Sequence, residues 1–165
     1  HEIAVMRCHG SGDDTDFLSA FLDLLGLEGA FEGEAYHRIC LIEPTPIREL
    51  ARRVKESLGM EALRVSARDV DAKASRIGFP YGGLGLQLNM GFLQRMTELG
   101  CDCLIAGESD SYAMQFVMDS GMAMIETSHE VSENPGLKRM AEMLDAHFDD
   151  AEFRYFETKR PFVIL

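Results

Sequence analysis

The chain has 165 residues, 46% of them hydrophobic, and a formal net charge of −12. That length supplies one good core rather than two, so a single α/β domain over residues 1–165 is expected. The acidic balance argues against DNA or RNA as a partner, because nucleic-acid binding draws on clustered Lys and Arg to displace counterions, and no apolar run approaches the roughly 20 residues of a membrane span.

In chain order, Ile3 to Cys8 is a short apolar run that ends at Gly10, Ser11 and Gly12, and it reads as a buried strand feeding a loop. Phe17, Leu18, Phe21, Leu22, Leu24 and Leu25 then recur at helical spacing and stop at Gly26. Tyr36 to Ile42 reads as a strand. Pro44 and Pro46 end it and open a helix with Ile47, Leu50, Ala51, Val54 and Leu58 on one side, closing at Gly59. Leu63 to Val65 and Ser75 to Phe79 read as two more strands. The second runs into Gly82, Gly83 and Gly85 and then a helix carrying Met90, Leu93, Met96 and Leu99, which ends at Gly100. From there the alternation is cleanest: strand Cys101 to Ala106, helix Ser109 to Met118, strand Met122 to Ile125, helix from about Ser132 to Phe148, and a last strand near Glu152 to Phe156. Strands alternating with helices imply crossover units and a mixed, mostly parallel sheet.

Of the four cysteines, Cys40, Cys101 and Cys103 sit inside apolar runs or beside them, and the one close pair is spaced C-x-C, which is not a structural zinc spacing. They read as reduced, mostly buried thiols of a cytoplasmic protein. Arg48, Arg52, Arg53 and Lys55 alternate with acids on one helix and read as a solvated face. The chain begins with His1 and already reads as strand at Glu2, which leads to the expectation that a segment precedes it.

In open α/β sheets ligands collect beyond the carboxyl ends of strands. Three loops in such places carry reactive groups: His9 and Asp13 in the first, Gly107, Glu108 and Asp110 in the second, Glu126, Ser128, His129 and Glu133 in the third. His129 and Glu133 are spaced i, i+4, which on a helix puts an imidazole and a carboxylate on one face, a workable geometry for one cation. The spacing is weak by itself, since an ordinary polar helix start has it too, and Pro135 leaves open whether the helix includes His129. The stretch Gly82-Gly83-Leu84-Gly85 fits either a phosphate-binding loop of a nucleotide binder or a tight structural turn, and it lacks the Walker lysine and the G-x-G-x-x-G order.

The run from Cys101 to Phe148 resembles the C-terminal portion of the Nif-three-like family, also named GTP cyclohydrolase I type 2 homologs or dinuclear metal centre hexameric proteins. The family pattern is a strand into T-G-[ED], a helix, a strand, then G-H-x-x-[ST]-E and a Leu-rich helix. Ala106-Gly107-Glu108 stands for the first motif and Ser128-His129-Glu130-Val131-Ser132-Glu133 for the second. Upstream, Ile3 to Asp13 resembles the family's strand followed by H-x-x-x-D, and Pro161-Phe162 its closing P-F.

The resemblance implies a two-metal site whose ligands are Asp13, His129 and Glu133, together with a His-His pair that has no counterpart in this chain and would lie before residue 1. It implies a divalent cation (zinc, iron, manganese or nickel), a small-molecule substrate and a hexameric homo-oligomer. On that basis the expected activity is metal-dependent hydrolysis of a nucleotide or phosphoester, with Glu108 as general base or as the cap of the next helix, and His9 either supporting a metal ligand from behind or transferring a proton. The rival expectation is a non-catalytic oligomeric scaffold with a degenerate metal site. Two departures stand out. Ser111 and Tyr112 replace histidines frequent in the family, and Ser128 replaces the glycine before the metal histidine, a small-for-small change.

Overall fold

The computed structural model describes residues 3–9 and 17–163. Its elements in chain order are α1 (Phe17–Leu25), β1 (Ala30–Glu32), β2 (Ile39–Pro46), α2 (Ile47–Ser57), β3 (Arg64–Ser66), β4 (Lys73–Gly78), α3 (Met90–Glu98), β5 (Cys103–Ala106), α4 (Ser111–Asp119), β6 (Ala123–Glu126) and α5 (His129–His147). The strands form one sheet in the order β1-β2-β4-β5-β6-β3.

The centre of this sheet follows from burial on both faces. Every residue of β5 and β6 is buried, which is why both read as unbroken apolar runs rather than alternating ones. Alternate side chains serve different layers. Cys103, Ile105, Ala123 and Ile125 join Phe17, Phe21, Leu50 and Val54 on the face covered by α1 and α2. Leu104, Ala106 and Met124 join Leu93, Met96 and Val117 on the face covered by α3 and α4. Helices α1, α2, α3 and α4 stop where the sequence predicts, at or next to glycines with positive φ: Gly26 (59°), Gly59 (60°), Gly100 (74°) and Gly121 (81°).

The sheet is mixed, but parallel pairing is confined to β4–β5 and β5–β6. The pairs β1–β2, β2–β4 and β3–β6 are antiparallel, so the expectation of a mostly parallel sheet holds only for the central strands that carry the cleanest alternation. Three further differences have local causes. β2 continues to Pro46 because its register shifts between Leu41 and Thr45, so Pro44, which has no N–H to give, falls inside an irregularity rather than at a strand end. Residues 3–8 form no strand: Ile3, Val5 and Met6 are 78%, 92% and 84% exposed, and an apolar run without a ladder partner has nothing to stabilise it. Residues 152–156 form no strand either. The segment runs beside α5, with the Phe153 amide on Asp145 Oδ1 (3.0 Å) and the Thr158 amide and carbonyl on the Asn134 side chain.

Helix α5 starts at His129 and accommodates Pro135 inside it. The next residue, Gly136, is where the helix meets α1: a Cβ at Gly136 would lie 2.5 Å from the Phe17 ring and 2.8 Å from the Phe17 Cα. Ala is the better helix former by about 1 kcal/mol, yet here it would wedge two helices apart. Gly136→Ala is therefore expected to destabilise the protein by about 1–3 kcal/mol, seen as a lower midpoint of urea unfolding.

Candidate metal centre

Because β4, β5 and β6 run parallel, their carboxyl ends share one edge of the sheet, and the turns that follow them meet there. The loop after β6 clamps onto the loop after β5: the Thr127 amide and hydroxyl both donate to the Ala106 carbonyl (2.9 and 2.8 Å), and the Ser128 amide donates to the Gly107 carbonyl (2.8 Å). The turn after β4 closes on both. Gly82 donates its amide to Ser132 Oγ (2.8 Å) and accepts from the Glu108 amide (2.7 Å). A Cβ on Gly107 would strike the Gly82 backbone and Ser132 Oγ, and one on Gly82 would collide with the Glu133 carboxylate. Glycine at 107 thus permits backbone-to-backbone contact, glycine at 82 leaves room for the Glu133 side chain, and the Gly82 amide is already engaged with Ser132. This favours the structural-turn reading of that stretch.

At the junction stand Glu108, His129 and Glu133. His129 Nδ1 lies 3.0 Å from Glu108 Oε2, and Nε2 lies 3.2 Å from Glu133 Oε2. The imidazole is 40% exposed, so the group faces a cleft rather than the core. Burial pulls the His129 pKa down, but the Glu108 hydrogen bond and the charges of Glu133, Glu108 and Glu130 outweigh it and leave it raised. The field that holds a proton on this ring also favours a cation that would displace it. Two donors of one transition-metal ion, each at about 2.1 Å, lie about 3 Å apart, which is the separation of His129 Nε2 and Glu133 Oε2. Glu108, on the far ring nitrogen, occupies the place of the carboxylate that orients a metal-bound histidine. The donor chemistry therefore fits a divalent cation, although among the described residues no group of three or more His, Cys, Asp and Glu is gathered as a complete ligand set.

The other predicted residues fall differently. Asp13 lies outside the described residues. His9 closes the exposed stretch 3–9, and among the described residues no hydrogen bond or ion pair joins it to the His129 group. Asp110, not Glu108, caps α4: it accepts from the Tyr112 and Ala113 amides (both 2.9 Å) and from the Gln87 amide (2.7 Å). Arg48, Arg52 and Arg53 of α2 pair with acids at the surface, in keeping with a solvated face.

Sequence reasoning did not assign three residues the parts they play here. Ser132 is buried; its hydroxyl donates to the His129 carbonyl (2.8 Å) while accepting from Gly82. Arg64, at the start of β3, pairs with the Glu126 carboxylate and donates to the Ser109 carbonyl (2.7 Å), so it ties the ends of β5 and β6 together across the sheet edge. A lone arginine in a short strand carries no sequence signal for this, whereas the Ser of the -x-x-[ST]-E pattern did. The third is Ser128, which adopts φ 94°, ψ 152°, a region that is essentially glycine's own. Replacing the family's glycine is therefore not the mild exchange the sequence implies.

Backbone strain of this kind costs on the order of 1–3 kcal/mol, so Ser128→Gly is expected to raise stability by about 1 kcal/mol after the extra freedom of glycine in the unfolded chain is offset, read as a higher Tm. Glu126, with a side chain only 10% exposed, has its pKa raised by burial, against the opposing effect of Arg64. A carboxyl whose folded pKa lies above its unfolded one lowers stability as pH rises through that interval. Without Arg64 the raise grows, so Arg64→Met is expected to cost about 1–3 kcal/mol at neutral pH and less in mildly acid solution, where Glu126 carries its proton; urea titrations under the two conditions check the difference.

Comparisons with known proteins bear on the family and the fold. A sequence profile described as Duf34/NIF3 (NGG1p interacting factor 3) matches residues 1–161. The chain is 26% identical over 108 residues to a GTP cyclohydrolase 1 type 2 homolog of Pseudomonas aeruginosa, covering 66% of this chain and 40% of that protein. It is 24% identical over 140 residues to the Haemophilus influenzae protein of the same name, covering 83% and 53%. It therefore spans about half the length, or less, of these relatives. Among solved structures, the protein ybgI, described as of unknown function, superposes with a TM-score of 0.69 at 19% identity, over 88% of this chain and 57% of that one; at that identity the likeness speaks for the fold. With residues 1–161 of its 165 matched by the profile, the chain belongs to the DUF34/NIF3 family.

Proposed function

We propose that His129 and Glu133 hold a divalent metal ion, zinc, iron, manganese or nickel, in a hydrolase site for a nucleotide or phosphoester, with Asp13 as a further ligand. The observation that carries this reading is the two-sided arrangement of one imidazole: Glu133 beside Nε2 at 3.2 Å and Glu108 on Nδ1 at 3.0 Å. The relatives' name, GTP cyclohydrolase 1 type 2 homolog, supports the reaction class.

Each residue has a defined task in it. Glu108 accepts from Nδ1–H, which fixes the tautomer and presents the Nε2 lone pair to the cleft. That engagement makes Glu108 a positioning residue for His129 before it is a base. Arg64 holds the loop that carries Glu108 through the Ser109 carbonyl. Glu133 lies against Gly82, with its carboxylate in space that a Cβ at that position would fill. His9 is assigned to proton transfer, on the resemblance alone. When bound, the cation would lower the pKa of a water ligand and polarise a phosphoryl oxygen.

A second reading, an oligomeric scaffold with a degenerate site, is favoured by the lack of a three-ligand cluster among the described residues. Metal content measured by mass spectrometry on protein purified without a histidine tag separates the two. The hydrolase reading expects bound metal, lost in His129→Ala and bound about 10–100-fold more weakly in Glu108→Gln. Protein that carries no metal sinks it, and metal without hydrolysis of any nucleotide or phosphoester leaves the scaffold.

A further inference from the structure

The cleft in front of His129 does not end at the imidazole. A cavity of about 670 Å³ lined by Glu108, His129, Arg64 and Phe162 adjoins a smaller one of about 240 Å³, and the two share Arg64, Glu126, Ser128 and Phe162. The smaller cavity is chemically unlike the larger. Met60, Ala62 and Leu63 give it apolar walls, and the Phe162 ring forms another. Phe162 is 53% exposed and belongs to neither hydrophobic cluster, so core packing does not account for an aromatic ring at this place.

The charges around the cleft are mostly spent on one another. Glu126 is paired with Arg64, Glu108 with His129, and Glu130 accepts from the Ser128 hydroxyl (3.0 Å). Arg160, which lines the smaller cavity, has no carboxylate partner among the described residues; its guanidinium carbon lies 5.9 Å from the centre of the Phe162 ring. In a chain of net charge −12, a cation left over beside a ring and an apolar pocket is an uncommon combination. An apolar pocket with one oriented polar group at its mouth is the usual form of a small-molecule site.

We propose that Phe162 and Arg160 are specificity-determining residues of the His129 cleft: the smaller cavity takes a planar ring against Phe162, and Arg160 pairs with the anionic group that the ring carries. The ligand class is then an aryl phosphoester rather than a small inorganic or aliphatic phosphate. This rests on reading the cleft as a phosphoester site, but not on a bound metal. Ring stacking and burial supply the preference for the aryl group, and the guanidinium supplies recognition of the anion.

The test is calorimetric titration with phenyl phosphate, inorganic phosphate and phenol, in the presence of a chelator, for the parent chain, Phe162→Ala, Arg160→Ala and Arg160→Lys. Both residues lie outside the clusters, and circular dichroism verifies that the variants fold. The expected result is phenyl phosphate bound about tenfold or more tightly than either fragment. Phe162→Ala should abolish the preference over inorganic phosphate. Arg160→Ala should abolish the preference over phenol, and Arg160→Lys should restore part of it. Equal affinity for phenyl phosphate and phosphate, no binding of any probe, or variants that keep both preferences would overturn the proposal. Ring preference in protein that takes up no metal upholds it while removing the metal reading; metal uptake without ring preference does the reverse.

Discussion

The candidate site depends on a contact that involves none of its reactive groups: the approach of the Gly82 backbone to Gly107 and Ser132. Three parallel strands deliver three turns to one edge of the sheet, but the turns could stand apart there with water between them. The absence of a Cβ at 107 lets the chains touch, and the Ser132 hydroxyl joins them by accepting from Gly82 while donating to the His129 carbonyl. A buried amide and a buried hydroxyl are satisfied in one step, as an interior requires. The position of the helix start, and so of His129 and Glu133, is fixed by this contact rather than by the helix itself.

Charge is then arranged around a frame already set. Arg64 stands on β3, an edge strand paired antiparallel with β6, and reaches across to Glu126 and Ser109. Its guanidinium therefore braces the two loops from the side opposite Gly82. The carboxylates outnumber the cations at this edge, which is costly for the protein alone and favourable for anything positive that enters. Ser128 adds a further cost through its backbone, at the residue immediately before the histidine. Local strain beside the most reactive group, set in a rigid surround, is a common property of functional sites.

Much of this was legible in the sequence, and the limits have physical causes. Elements buried on both faces, such as β5 and β6, announce themselves as apolar runs bounded by glycines, and the helices between them by period and by their stops. The His129 and Glu133 pair was legible as spacing, and became specific only through the order of the two motifs around Gly107 and His129. What failed were segments whose state depends on a partner. Residues 3–8 and 152–156 have the composition of strands but no neighbouring edge takes them up, and composition cannot supply an edge. The antiparallel flanks escaped notice because the crossover rule speaks only to neighbours joined through a helix. Ser128 escaped because a side-chain comparison of Ser with Gly ignores the backbone angle that glycine was there to permit.

The two sides of the cleft differ in what it takes to move them. On one side Glu108 follows β5, and His129 and Glu133 lie on the helix that follows β6, both strands being sealed between two layers of apolar side chains, so displacing these residues disturbs the part of the chain where local opening is most costly. On the other side Arg160 and Phe162 follow a segment held to α5 by a few exposed hydrogen bonds, those of Asn134 with Thr158 and of the Phe153 amide with Asp145, which can part and re-form at small cost. Entry and exit of a ligand would then be accommodated by the C-terminal segment while the histidine wall stays fixed. Such a division lets the rate of exchange and the geometry of the reactive groups vary independently of each other.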